Sequence, residues 1–181
     1  MKNPPLPSLL LLVSLSPSLF ANTQSAIRDI LDVDSEGRGN SKASKAWSQL
    51  ASGGADSIPT LLKAMNDANG LAANWLRSAV DTIAQKNASS LPVEALQKFL
   101  KDRSNNAKAR RLAYELIAQA QPTRADKLIQ GMLDDPSVEL RRDAVQRVLD
   151  SAKTKESAKL YRKALDAARD VDQINIAKTA L

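Results

Sequence analysis

Paired arginines recur along the chain, and their side chains are well suited to bind carboxylates or phosphates. Arg110-Arg111 and Arg141-Arg142 occupy matching places in two segments with the same apolar pattern, and Leu76-Arg77 stands at that place one segment earlier. A guanidinium group binds such anions through two parallel hydrogen bonds. A row of arginines spaced by one repeat could therefore bind phosphates, an anionic polysaccharide or an acidic lipid face.

Recurring aspartates give the same arginines a structural interpretation. Asp67, Asp102 and Asp135 recur at intervals of 35 and 33 residues, each at the end of a corresponding segment. If each arginine pairs with the aspartate that ends the preceding helix, the pairs join neighbouring units and bind no ligand. We favour pairing, because acidic residues are interspersed with the basic ones and the formal net charge is only +6.

The composition restricts catalysis and metal binding. The chain contains no Cys and no His, which removes thiol nucleophiles, imidazole bases and Cys/His zinc sites. Asp134-Asp135 is the closest pair of carboxylates, and its position beside Pro136 favours a cap of the next helix over acid–base chemistry. We therefore predict no catalytic residue, no metal site and no cofactor, so the chain is not expected to be an enzyme.

Two apolar ladders predict a repeated pair of helices. A small, a large and a branched residue recur at positions i, i+1 and i+4, which share one face of a helix. A second ladder of nearly equal period ends at the recurring aspartates. The first ladder is Ala46, Ala79, Ala113 and Ala144, then Trp47, Val80, Tyr114 and Val145, then Leu50, Ile83, Ile117 and Val148; the second is Leu61, Leu96 and Ile129, then Met65, Leu100 and Leu133.

A period of thirty-odd residues is typical of a helical solenoid, whose units bury their apolar faces against one another. The predicted fold is all-α, a right-handed α-solenoid of stacked antiparallel helix pairs with about four repeats. Each unit holds an A helix, which carries the alanine, and a B helix, which ends in Asp. The expected helices span 42–52, 56–66, 71–86, 92–101, 106–120, 124–134, 137–152 and 155–169, with a ninth beginning near residue 171.

Three residues invite separate interpretations within this frame. Trp47 and Trp75 could stack on a sugar or a base, but both fall at core positions, so we expect them to pack inside. Gly131 would lie inside a B helix, where it costs about 1 kcal/mol relative to Ala. We expect close approach of a neighbouring helix to compensate that cost.

The segment 134–152 resembles a HEAT repeat of the short bacterial kind. In that repeat a B helix ends in Asp, a Pro follows, and the A helix carries Arg-x-x-Ala and then an aliphatic residue. Arg141-x-x-Ala144 and Arg110-x-x-Ala113 match, whereas Leu76-x-x-Ala79 departs and the first unit, with Ala43 at that place, departs further and is expected to be a worn or capping repeat. The resemblance covers roughly residues 41–169. It implies the solenoid fold and no shared catalytic residues. The segments 66–86 and 108–120 also resemble the helical lead modules of secreted bacterial HEAT-repeat proteins.

The N-terminal residues have the pattern of a secretory signal peptide. Lys2 precedes an apolar run, and Ala21 supplies the small residue for cleavage. The predicted division is a signal peptide at 1–21, a lead-in segment at 22–40 with a short helix around 27–31 and then a flexible stretch, and a HEAT-like repeat domain at 41–181. The run is too short to span a bilayer, so we expect an exported protein, periplasmic or extracellular, with no stable membrane span after signal removal.

These expectations favour a non-catalytic scaffold or protein-interaction module that binds through the surface lined by its B helices. The expected partner is a protein of unknown identity; an anionic ligand is an open possibility, and nucleic acid is disfavoured. One alternative is the leading helical module of a longer extracellular enzyme, since residues 171–181 start an apolar-periodic helix that ends without a polar tail. The less favoured alternative is a HEAT-like nucleic-acid-binding or DNA-repair protein.

Overall fold

The protein is all-α in its described part. The computed structural model describes residues 17–34 and 36–181, and within these ranges it contains ten α-helices and no β-strand. Residues 1–16, which carry most of the predicted signal peptide, lie outside the described residues. The helices are α1 (Pro17–Leu31), α2 (Asn40–Ala51), α3 (Ile58–Ala64), α4 (Gly70–Lys86), α5 (Val93–Lys101), α6 (Ala107–Ala120), α7 (Pro122–Ile129), α8 (Val138–Thr154), α9 (Ala158–Ala167) and α10 (Val171–Thr179).

Side-chain caps fix where four of these helices begin. Asn69 precedes α4, Asn106 precedes α6, Ser137 precedes α8 and Ser157 precedes α9. Each side-chain oxygen accepts a hydrogen bond from a backbone N–H in the first turn, as at Asn69, which accepts from the Ala72 N–H at 2.9 Å. Such a bond satisfies an amide that has no partner within the helix. The starts of these four helices are therefore encoded locally.

Helices that are neighbours or next neighbours in sequence pack together. Following the predicted pairing, α2, α4, α6, α8 and α10 are called the A helices, and α3, α5, α7 and α9 the B helices. The A helices α2 and α4 contact each other, as do α8 and α10, while α5 packs on α6, α6 on α7, and α8 on α9. One core cluster extends from Ala26 to Ala144, and a smaller one lies between α8, α9 and α10.

Most of the two apolar ladders lies in these cores, as predicted. The four alanines of the first ladder are each at most 4% exposed, and Leu61, Leu96 and Ile129 of the second are fully buried. Three positions differ, because Trp47, Val148 and Leu133 are only partly buried. At the last two, the neighbours Leu149 and Met132 are buried instead. Trp47 and Trp75 are half-buried and pack against the larger core.

The lead-in segment is more structured than the sequence suggested. In place of a short helix around 27–31, α1 spans 15 residues and packs against α2 and α4. Ala26, Ile27 and Ile30 on one face of α1 are buried in the larger core. That apolar face is the physical reason for the difference, because the burial of aliphatic side chains stabilises a helix whose local sequence alone would not predict its full length.

Gly131 does not have the role that the sequence suggested. Helix α7 ends at Ile129, so Gly131 lies in the turn that follows it and not inside a helix. The residue is exposed, and a Cβ placed there would meet only the Leu128 carbonyl oxygen, at 3.6 Å. The prediction of close approach by a neighbouring helix is therefore wrong.

The predicted helix 155–169 is also shorter, because a turn separates α8 from α9. The Glu156 N–H donates to the Lys153 carbonyl at 3.3 Å, and the Ser157 N–H donates to the Ala152 carbonyl at 3.0 Å. These two bonds form a Schellman motif, in which glycine usually takes the left-handed position. Here Glu156 occupies it, with φ of 48°.

We expect Glu156→Gly to raise the free energy of unfolding by about 1 kcal/mol, because a side chain in the left-handed region is strained. Thermal and urea denaturation measure the effect. Glu156→Ala is the matched control, since it removes the same charge and keeps a Cβ. A stability gain of equal size in both variants would show that charge, and not backbone conformation, is responsible.

Candidate functional site

Three arginines at the same place on successive A helices connect those helices through ion pairs. Each is two residues before the ladder alanine of α4, α6 or α8, and each binds a carboxylate of the next A helix or of the residues that begin it. We call this set the ion-pair row. Its pairs are Arg77 with Glu115 at 2.7 Å, Arg111 with Asp143, and Arg142 with Asp172 at 2.5 Å and Asp170 at 3.1 Å.

The ion-pair row neutralises the positive charge of the recurring arginines, which could otherwise have bound an anionic ligand. Glu115 accepts from Arg77 and also from Arg111, at 3.0 Å. Burial lowers the pKa of Arg111, but its hydrogen bonds to Asp143 and Glu115 outweigh that effect and place the pKa above its usual value. The Arg77 and Arg142 side chains are nearly half exposed, and pairs of that kind contribute about 0–1 kcal/mol each.

Arg110, which precedes Arg111 of the ion-pair row, points inward and forms a bidentate ion pair with Asp135 that we call the buried clamp. Arg110 and Asp135 are each 1% exposed, and their two parallel hydrogen bonds measure 2.9 and 2.7 Å. The Arg110 Nε also donates to the Leu100 carbonyl at 2.8 Å, and Asp135 accepts from the Ser137 N–H at 2.9 Å. The clamp therefore connects the end of α5, the start of α6 and the turn before α8.

Charge pairing holds the Asp135 carboxyl ionised in spite of its burial. Desolvation raises its pKa, but hydrogen bonds from Arg110 and the Ser137 N–H, together with the charges of Arg110 and Arg103, outweigh it, so the pKa lies below the usual value. A buried ion pair needs such additional hydrogen bonds to repay the loss of hydration. The clamp provides them.

The aspartate that binds Arg110 is not the one that the sequence suggested. Pairing with the preceding Asp102 is wrong, because Arg110 reaches Asp135, 25 residues further on. Asp102 instead accepts from the N–H and hydroxyl of Ser104, at 3.0 and 2.6 Å. Asp67 is exposed and forms no side-chain hydrogen bond or ion pair with any residue in the described ranges. The Arg141 Nη1 donates to the backbone carbonyl of Asp135 at 2.8 Å.

The Asp134-Asp135 pair also binds arginines and does not cap the next helix. Asp134 forms two hydrogen bonds with Arg103, at 2.7 and 3.2 Å, and Asp135 belongs to the clamp. The cap of α8 is Ser137. Asp135 contributes to this helix start only by accepting from the Ser137 N–H at 2.9 Å, so the capping role predicted for the aspartate pair belongs to Ser137. Both carboxylates are held by guanidinium groups.

Lysines on the B helices form a second set of cations, and these are not neutralised by ion pairs. They are exposed, and within residues 17–34 and 36–181 none of them lies within ion-pair distance of a carboxylate. We call these residues the B-face lysines. They are Lys98 and Lys101 on α5, Lys127 on α7, and Lys159 and Lys163 on α9. Lys63 on α3 is left out because its Nζ donates to the Asn105 Oδ1 at 3.0 Å. Sequence reasoning missed this set, although the run of basic residues at 153–163 was a visible signal.

A groove of about 310 Å³ lies between α7, α8 and α9. Val148 and Leu160 line it and are half-buried, whereas Lys155 and Lys163 line it and are exposed; we call the first two residues the floor of the groove and the other two its rim. One wall contains an ion pair between Arg147 and Asp126. We refer to this feature as the α7–α9 groove.

Two further observations concern metals and membranes. Among the described residues, no three side chains of the His, Cys, Asp and Glu types come together in a way that would hold a metal ion. Within the same part of the chain, no helix combines the length and the apolar character needed to cross a bilayer.

Comparison with known proteins does not test the predicted membership in the HEAT-repeat family. The ion-pair row, the buried clamp and the B-face lysines are described from this chain's residues alone. The chain matches no protein-family model, no curated protein and no solved structure.

Proposed function

We propose that the chain is a non-catalytic scaffold or protein-interaction module, built as an α-solenoid of HEAT-like repeats, that binds a partner protein through its B-helix surface. The observation that carries the proposal is the division between the two types of cation. Arg77, Arg111 and Arg142 of the A helices form ion pairs between helices. The exposed lysines of the described residues have no such partner, and those on α5, α7 and α9 lie on the surface that we assign to the partner.

The ion-pair row supports a solenoid arrangement. An arginine at one fixed place on α4, α6 and α8 reaches the next A helix each time, which is the behaviour of units stacked in one direction. The apolar ladders support the same arrangement, because the ladder alanines of α2, α4, α6 and α8 are all buried. In such an array the A helices join the units, and the outer faces of the B helices stay accessible.

Unpaired surface lysines suit the recognition of a partner. Charges that are not compensated within the protein raise the rate of encounter with a partner of opposite charge and select its orientation. Lysines on α5, α7 and α9 spread this charge along several B helices. We propose that the protein acts outside the cytoplasm, on the strength of the apolar run and the small residue Ala21 in the sequence.

Site-specific photocrosslinking tests the proposed surface. We expect a photoreactive amino acid at Lys98 or Lys127 to give a discrete crosslinked protein product in the native host, because both positions lie on B helices. Lys45 on α2 and Lys108 on α6 are the matched controls, since both are exposed lysines of A helices outside any described ion pair. Products from the A-helix positions alone, or from none of the four, would refute the proposal.

A further inference from the structure

We propose that the α7–α9 groove binds an acidic peptide segment that carries an aliphatic side chain. The inference rests on the proposed function, since α7 and α9 are B helices, and it names the partner's chemistry and the place where it binds. Its two elements are an excess of unpaired positive charge at and near the groove, and the two aliphatic side chains that line it.

The charge excess is concentrated around the turn between α8 and α9. Residues 153–163 contain five basic side chains and one acidic side chain, Glu156. All six are exposed, and none forms an ion pair within the described residues. The five cations are Lys153, Lys155, Lys159, Arg162 and Lys163. An anionic partner would therefore meet positive charge that the protein itself does not compensate.

The floor of the groove favours a ligand with an aliphatic side chain, which attraction between charges alone would not select. Val148 and Leu160 line it and remain partly exposed to solvent. An aliphatic side chain placed on them would bury apolar surface, which favours association. The volume of about 310 Å³ is at the lower end of the range for ligand pockets, about 300–1,000 Å³. It suits one or two side chains of a peptide.

The acidic residue in the groove wall does not oppose an acidic ligand. Asp126 binds the Arg147 guanidinium, so its charge is compensated. The same pair occupies the only arginine that lines the groove among the described residues. The unpaired cations that line the groove itself are Lys155 and Lys163, and lysines act as flexible point charges that impose no bidentate geometry.

These features favour a peptide over a nucleic acid or a free polyphosphate. Phosphate groups are recognised by arginine forks and by backbone N–H groups, and stacked bases need aromatic side chains. The residues that line the groove supply no aromatic ring and no free arginine. Carboxylates flanking a leucine would use both the rim and the floor.

The test measures binding of short labelled peptides by fluorescence anisotropy at low salt. One peptide is rich in glutamate and contains two leucines, and its counterpart has serine in place of each leucine. We expect the wild-type chain to bind the leucine peptide at least about tenfold more tightly than the serine peptide. Equal affinity for both would show that the apolar floor is not used and would overturn the proposal.

Two matched triple variants locate the binding. The groove variant is Lys155→Gln/Lys159→Gln/Lys163→Gln, and the control is Lys42→Gln/Lys45→Gln/Lys108→Gln. Both sets are exposed and outside the described ion pairs, so each removes three positive charges without breaking a contact. We expect the groove variant to lose about tenfold or more in affinity and the control to keep wild-type affinity. Equal losses would indicate attraction by net charge and would refute the site.

A competition experiment separates the other anions. Single-stranded DNA and inorganic polyphosphate are added to the bound leucine peptide; displacement at concentrations well below those of unlabelled peptide would overturn the proposal in favour of a phosphate-bearing ligand. The groove variant also separates this inference from the proposed function. If the groove variant keeps its affinity for the leucine peptide while the chain with the wild-type groove still crosslinks from Lys98 and Lys127, the groove assignment alone fails and the proposed function stands.

Discussion

Replacing Arg110 with methionine is expected to lower the free energy of unfolding by about 3–5 kcal/mol. The variant leaves the Asp135 carboxylate without its bidentate partner in a place where only 1% of the residue is exposed, and it removes the donor to the Leu100 carbonyl. Urea denaturation followed by circular dichroism measures the loss. A buried charge without a partner is among the costliest defects that a single substitution can create.

Arg111→Met is the matched control, because it makes the same change on the neighbouring residue in a partly exposed ion pair. We expect it to cost about 1 kcal/mol or less. The loss caused by Arg110→Met should also shrink in acid. The pKa of Asp135 is lower in the folded protein than in the unfolded chain, so the pair stabilises the fold above about pH 4 and less as the pH falls. Equal losses in the two variants at neutral pH would contradict the buried clamp.

Ala113→Leu and Ala144→Leu are each expected to lower the free energy of unfolding by about 1–3 kcal/mol. Both alanines are fully buried on the A helices α6 and α8. A larger side chain at either place must displace its neighbours, because protein interiors are closely packed. Urea denaturation at equilibrium gives the change, with the slope of the transition as a check on two-state behaviour.

Ala107→Leu provides the control on the same helix as Ala113. Ala107 is exposed at the start of α6, so the extra volume meets solvent, and the change should stay within about 0.5 kcal/mol. Losses of the same size at Ala107, Ala113 and Ala144 would show that the apolar ladder does not mark the contacts between helices.

Much of the helical pattern could be predicted from the sequence, because local signals encode it. Asn69, Asn106 and Ser137 cap the starts of helices as short polar side chains do, and the alanine ladder follows the period of one helix face. One failure arose where a helix ended earlier than its apolar pattern suggested. Because α7 stops at Ile129, the next buried residue of its ladder is Met132 and not Leu133.

The candidate site was less predictable than the fold. The residue types and their spacing in the sequence identified the arginine pairs. They did not show that Arg110 turns inward and Arg111 outward, because side-chain direction depends on the packing of α5, α6 and the turn before α8. The choice of Asp135 over Asp102 as the clamp partner has the same origin. The α7–α9 groove escaped detection because its floor and rim come from three different helices.

The division between arginine and lysine lets recognition change without endangering the fold. Every ion pair in the described part of the chain uses an arginine, and none uses a lysine. Acetylation of a B-face lysine, or its replacement during evolution, would therefore alter what the surface attracts while the joints between helices keep their charges. Binding preference can drift, or be switched by modification, at little thermodynamic risk.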